Sequence, residues 1–252
     1  NNNTAIGHQA LIANTTGSAN TAVGSGTLNA NTTASSNTAV GYQALLSNTD
    51  GYRNTAVGRI AMQQCTQGFD NVAVGEQALY SLTTGRDSVA VGRNALAAVV
   101  TGDYNTAIGA YALDVCTVDH NTGVGYNALS ADTTGTLNTA LGSNALAANT
   151  TASSNTAIGS SSLLVNTTGQ DNVAVGRNTL DANTTGDSNT AIGMQALSAN
   201  TTADNNTAVG RNALLVNTTG ELNTAVGRSA MAGATTGDRN VSVGAYALDA
   251  AL

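Results

Sequence analysis

The sequence predicts an all-β fold: a parallel β-solenoid, or β-roll, of about fifteen 17-residue coils, with 1–252 forming a single repetitive domain. Three observations carry this expectation. The phrase Asn3-Thr4-Ala5-Ile6-Gly7 returns in register from Asn20, Asn37, Asn54, Asn71, Ser88 and Asn105, and again from Asn121 to Asn240. A period this short is a solenoid signature, because a two-helix repeat needs about 33 residues or more. The consensus N-T-A-V-G-x-x-A-L-x-x-N-T-T-G-x-x also carries Gly twice and a turn-forming Asn-Thr-Thr-Gly, which opposes helix.

Composition points the same way. The chain has no Pro and no Trp, and charged residues make up 9%, against roughly 25% in ordinary globular domains. With so few large side chains a thick core is excluded, and a thin stack remains. Each coil adds about 4.8 Å along the stack, so fifteen make a rod of roughly 70 Å. One step is shorter: 16 residues separate Asn105 from Asn121. The chain opens in mid-pattern and reads as a piece of a longer fibre.

Stacking places equivalent residues in columns. The fourth position is always Ile, Val or Leu, as in Val23, Val40 and Val57, and the ninth is Leu or Met, as in Leu11, Leu28 and Leu45. Both columns are expected inside. The third position is almost always Ala, which predicts close backbone approach. The twelfth is Asn at Asn14, Asn31 and Asn48. It changes through Cys65, Leu82, Val99, Cys116 and Asp132, then returns to Asn at Asn149. Substitution in a block is expected of side chains that touch along their own column, and an Asn ladder hydrogen-bonds that way. Cys65 and Cys116 lie three coils apart, about 14 Å by strand spacing, too far to bond to each other. They are expected to pack as small hydrophobes.

Neighbouring strand residues point to opposite faces. With Ala and Val both restricted, both faces of the first strand are expected to be covered. This predicts assembly, and a parallel homotrimer with the Val strands toward the shared axis is the expectation.

The phrases Asn71-Val72-Ala73-Val74-Gly75, Ser88-Val89-Ala90-Val91-Gly92 and Asn240-Val241-Ser242-Val243-Gly244 resemble the S-V-A-I-G signature of YadA-like trimeric autotransporter adhesin heads. Those heads are left-handed parallel β-rolls assembled as trimers. Asn37 to Leu45, N-T-A-V-G-Y-Q-A-L, is similar to the repeats of bacteriophage tail fibres. The resemblance spans essentially the whole chain and does not separate the two families. It implies a structural or adhesive fibre on a virion or cell surface, outside the cell. It also implies a cell-surface glycan or protein receptor. The repeat of 17 departs from the shorter adhesin-head repeat, and the extra residues fall at the Asn-Thr-Thr-Gly corner. The alternative is a self-assembling extracellular filament or an ice-binding solenoid.

The other function classes find little in the residues. The net charge is −7 and the eight basic residues form no stripe, so nucleic acid is not an expected partner. No apolar run has the length of a membrane span. His8 and His120 are far apart, and no catalytic triad or phosphate loop is present. Asp70 and Asp87 share a column and are read as ion-pairing with Arg53 and Arg86.

Two surface features stand out. Asp187, Asp204, Glu221 and Asp238 hold the sixteenth position in successive coils. Such a column either binds Ca²⁺ or is a solvated acidic edge screened by salt and by Arg211, Arg228 or Arg239; the second reading is the simpler. Tyr52 and Phe69 occupy one column in adjacent coils, are expected to stack, and are the best candidates for receptor contact. The adjacent Thr pairs, such as Thr15-Thr16, are expected to point apart, against an ice-binding face.

Overall fold

The computed structural model describes residues 2–249. The chain divides into two compact units, Asn1–Asn121 and Thr122–Leu252. Both are parallel β-solenoid with one repeat per coil. The first unit carries β1 (Thr4–Ile6), β2 (Thr21–Val23), β3 (Thr38–Val40), β4 (Thr55–Val57), β5 (Val72–Val74), β6 (Val89–Val91) and β7 (Thr106–Ile108). The second carries β8 (Thr122–Val124), β9 (Thr139–Leu141), β10 (Thr156–Ile158), β11 (Val173–Val175), β12 (Thr190–Ile192), β13 (Thr207–Val209), β14 (Thr224–Val226) and β15 (Val241–Val243). Within each unit neighbouring strands pair in parallel and in sequence order, each residue opposite its equivalent one repeat away. Ala5 faces Ala22 in one unit and Ala157 faces Ala174 in the other.

Three residues per strand is short, but the ladder does not stop there. The amide of Leu28 bonds to Ala44 O at 3.2 Å, that of Ala30 to Leu46 O at 3.0 Å and that of Thr15 to Thr32 O at 2.9 Å. The coil therefore finds partners for backbone groups around its perimeter, as a thin, well-ordered chain requires.

The interior of each coil is narrow. Ala fills it at the third position and Leu or Met at the ninth: Ala39, Leu28, Leu45 and Met62 are fully buried, and Leu11 nearly so. The glycine at the fifth position shows why the coils sit so close. Gly41 has φ +128°, and a Cβ there would lie 2.5 Å from Gly58 O in the next coil. In most coils three non-glycine residues also take the left-handed conformation, for example Gln43 (φ 54°), Leu45 (φ 49°) and Arg53 (φ 55°). Each costs of order 1 kcal/mol; Leu45 is held there by its own burial.

The fourth-position column corrects an expectation. Val23, Val40 and Val57 are half-buried, while the Ala before each is fully buried. The strand alternates, and the thin interior takes the small residue. Val23, Val40 and Val57 are therefore not core within a single chain: they form its outer face.

The Asn ladder is present as expected. Asn31 Nδ2 donates to Asn14 Oδ1 at 3.0 Å and Asn48 Nδ2 to Asn31 Oδ1 at 2.9 Å. Asn183 donates to Asn166 at 2.8 Å and accepts from Asn200 at 2.9 Å. The apolar block of Cys65, Leu82, Val99 and Cys116 is equally buried. Where the ladder meets a residue that cannot donate, an acceptor is orphaned. Asn48 Oδ1, followed by Cys65, and Asn217 Oδ1, followed by Ala234, lack partners.

A second ladder went unread in the sequence. The first-position Asn is buried, its Oδ1 accepting the amide of the next first position: Asn37 N to Asn20 Oδ1 is 3.0 Å. Its Nδ2 reaches the carbonyl of the fifteenth position, 2.8 Å from Asn37 to Gly51. The twelfth-position Asn48 donates to that same Gly51 oxygen at 2.9 Å.

One prediction follows from this ladder. Asn183→Leu strands Asn166 Oδ1 and a donor on Asn200, and thermal or denaturant melts should show a loss of about 2–4 kcal/mol. Changing Asn166, Asn183 and Asn200 to Leu together should cost less than three times the single change, because only the block's ends lose partners. Simple additivity would refute the ladder account.

Candidate functional site

Among the described residues there is no cavity, no gathering of three His, Cys, Asp or Glu side chains suited to a metal, and no helix long and apolar enough to cross a membrane. The features described next lie on the outer faces of the coils.

The outer strand face is the most extensive feature. The second and fourth positions point outward on every strand. In β5, β6 and β11 both are Val, so Val72, Val74, Val89, Val91, Val173 and Val175 present methyl groups. Away from the two terminal coils, exposure along the fourth-position column reaches 46% at Leu141 and 41% at Ile108. Apolar side chains in a continuous file on a parallel sheet are a surface that water wets poorly.

Three of the four sixteenth-position carboxylates accept backbone amides. Asp187 Oδ1 accepts the amide of Gln170 at 2.7 Å, Asp204 Oδ1 that of Asp187 at 2.7 Å, and Asp238 Oδ1 that of Glu221 at 2.8 Å. Each caps a backbone N–H of the coil before it, so the column is a side-chain extension of the ladder. Ser35 and Ser153 do the same with hydroxyls at 3.0 and 3.1 Å. The recurrence of Asp and Ser at one position was the available signal, since short acceptors bond to nearby backbone. No ion pair joins this column to Arg211, Arg228 or Arg239 among the described residues.

Tyr52 and Phe69 do stack, with centroids 5.0 Å apart and planes 2° from parallel. The stack is longer than expected. Arg53 lies over Tyr52 at 4.7 Å, Arg86 lies 5.8 Å from Phe69 and 5.5 Å from Tyr104, and Tyr104 stacks on His120 at 5.1 Å. Neighbours thus cover the ring faces, and a receptor group would meet ring edges and Arg side chains. Arg53 binds Asp70 at 2.5 Å, as expected, and this hydrogen bond holds the Asp70 carboxyl below its usual range. Arg86 instead pairs with Asp103 at 3.1 Å, not Asp87. Being exposed, such pairs contribute little to stability.

The threonine pairs lie outside the strands. Thr15 and Thr16 lie in a bend, where strand alternation does not apply, and both are exposed. Thr15 Oγ1 donates to Thr32 O at 3.0 Å, so one of the pair is tied to the next coil.

Buried titratable groups sit in the twelfth column. Burial pushes the Cys65 thiol up to about 12, leaving it inert. Asp132 is fully buried and its carboxyl is pushed up to about 7 by desolvation; its Oδ1 accepts the Gly135 amide at 2.9 Å.

No family model matches the chain, and no curated protein matches it.

Two measurements test these assignments. The Asp132 carboxyl binds its proton more tightly folded than unfolded, so stability is fullest below about pH 4, falls as pH rises toward 7, and stays reduced above. Asp132→Asn should therefore match the parent at low pH and exceed it by up to about 4 kcal/mol at pH 8; a pH-independent difference would contradict the burial account. Asp204→Ala should cost about 1 kcal/mol, equally in calcium and in chelator. A chelator-sensitive melt of the parent would instead place a metal on the acidic column.

Proposed function

We propose that this chain is a structural or adhesive segment of an extracellular fibre on a virion or cell surface, assembled as a parallel homotrimer through the outer strand face. The observation that carries the reading is the apolar file at the fourth position. It runs through every coil, yet it stays half-buried to exposed in the single chain. A file repeated on each coil fits a partner that repeats with the same period, and another copy of the chain has that period. Parallel copies related by rotation about the stacking axis bring the files together at every level. Three copies is the number implied by the resemblance to adhesin heads.

The proposed mechanism is passive. Stacked coils supply length and stiffness. Side chains away from the shared axis, among them the Tyr52–Phe69 stack with its arginines, are left to meet a glycan or protein receptor.

The mass in solution tests this. Sedimentation equilibrium should give three times the 24.9 kDa chain. Replacing Val57 and Val74 by Lys should lower that mass while the β circular dichroism persists. A parent mass of one chain would refute the proposal.

A further inference from the structure

One stretch of the surface is built unlike the rest. In five successive coils of the first unit, the two residues ahead of the first position are aromatic, charged or His without exception. Residues 52–53, 69–70, 86–87, 103–104 and 119–120 read Tyr-Arg, Phe-Asp, Arg-Asp, Asp-Tyr and Asp-His. Elsewhere in the chain the same pairs hold no aromatic residue and one Arg, Arg239; Ser35-Ser36 and Ser153-Ser154 show how little a coil needs there. Ser35 and Ser153 accept the amide of the coil before with a hydroxyl alone, at 3.0 and 3.1 Å. Asp103 and Asp119 do the same within the stretch, both at 2.9 Å. The rings and guanidinium groups beside them serve no backbone group.

These side chains are ordered and still exposed. Tyr52, Phe69, Arg86, Tyr104 and His120 follow one another at 5.0, 5.8, 5.5 and 5.1 Å, yet Tyr52 and Tyr104 keep 39% and 44% of their surface. A file already held in place costs a partner little ordering. Tyr, Phe and Arg are also the residues that anchor protein interfaces. No cavity among the described residues encloses a small molecule. Both faces of Phe69, and both of Tyr104, are covered by the coils on either side, so a sugar ring finds no open face on which to stack.

Charge narrows the partner further. The stretch has four Asp against two Arg. Both arginines are paired, with Asp70 and Asp103, whereas Asp87 is exposed and joins no ion pair among the described residues. The charge left over is negative, on a chain of net −7. It repels phosphate and acidic sugars and attracts Lys and Arg. We infer that these five coils form a docking surface for a protein whose facing side carries Lys or Arg side chains. The inference rests on the adhesive reading above and gives its receptor a class, protein and not glycan.

Selection on the full chain tests this. A random-peptide phage library is panned on the parent, and enriched peptides are measured against the parent and against an Arg86→Ser, Tyr104→Ser double variant. Ser stands at the equivalent positions in Ser35 and Ser36, and circular dichroism checks the variant's fold. The peptides should be rich in Lys and Arg and should bind the double variant at least about tenfold more weakly. Asp87→Asn removes a charge and no packing. It should weaken binding about threefold at low salt and not in molar salt, and it carries the test alone if the double variant does not fold. Asp187→Ser, in the second unit, should change nothing. A glycan array probed with the same proteins covers the other class. Peptides without basic residues, or peptides that bind parent and variants equally, overturn the inference. Glycans bound by the parent and lost with the double variant also overturn it, but leave the adhesive reading standing. If neither peptides nor glycans distinguish parent from variants, the receptor contact at Tyr52 and Phe69 falls with it.

Discussion

The structure depends on one recurring arrangement: wherever the twelfth residue is Asn, two asparagine amides converge on the carbonyl that closes the corner. Asn37 and Asn48 both donate to Gly51 O, at 2.8 and 2.9 Å. The first-position oxygen also takes the next coil's amide, 3.0 Å from Asn54 to Asn37. One side chain therefore spans the coil's width and its stacking direction at once. A section this thin has no room for a conventional apolar core, so buried amides replace part of it. Buried amides are tolerable when satisfied and costly when not, which is why the twelfth-position exceptions are grouped.

Thinness also dictates what faces out. With Ala inside, the strand's larger residue has nowhere to go but outward. The apolar outer file is thus a geometric result of putting the small side chain where neighbouring backbones nearly touch. The left-handed residues have the same origin: tight corners are needed to close a coil of 17 residues, and packing holds Leu45 in a conformation leucine otherwise avoids.

Much of this was legible in the sequence because the repeat is strict. Coil length, parallel register, the ninth-position core and the Asn14–Asn31 ladder follow from periodicity and column restriction. Three things did not. Val23, Val40 and Val57 looked like core because restriction signals constraint without giving its direction. The first-position ladder was hidden by its regularity: an almost invariant Asn reads as a turn residue until its amide is seen crossing the coil. The acidic column from Asp187 to Asp238 looked like a charge problem because capping of an amide one coil away appears only in three dimensions.

The short repeat shows what such a chain can withstand. From Asn105 to His120 one corner residue is missing, and Asn105 Nδ2 bonds to Val118 O at 2.7 Å where other coils use a carbonyl one residue later. The closure is kept and the loss is absorbed locally at the corner. Every contact that holds a coil is made with itself or with its neighbours, so the gene can gain or lose whole repeats without redesigning any interior. Solenoid length becomes a quantity counted in units of 17 codons, while the cross-section stays unchanged.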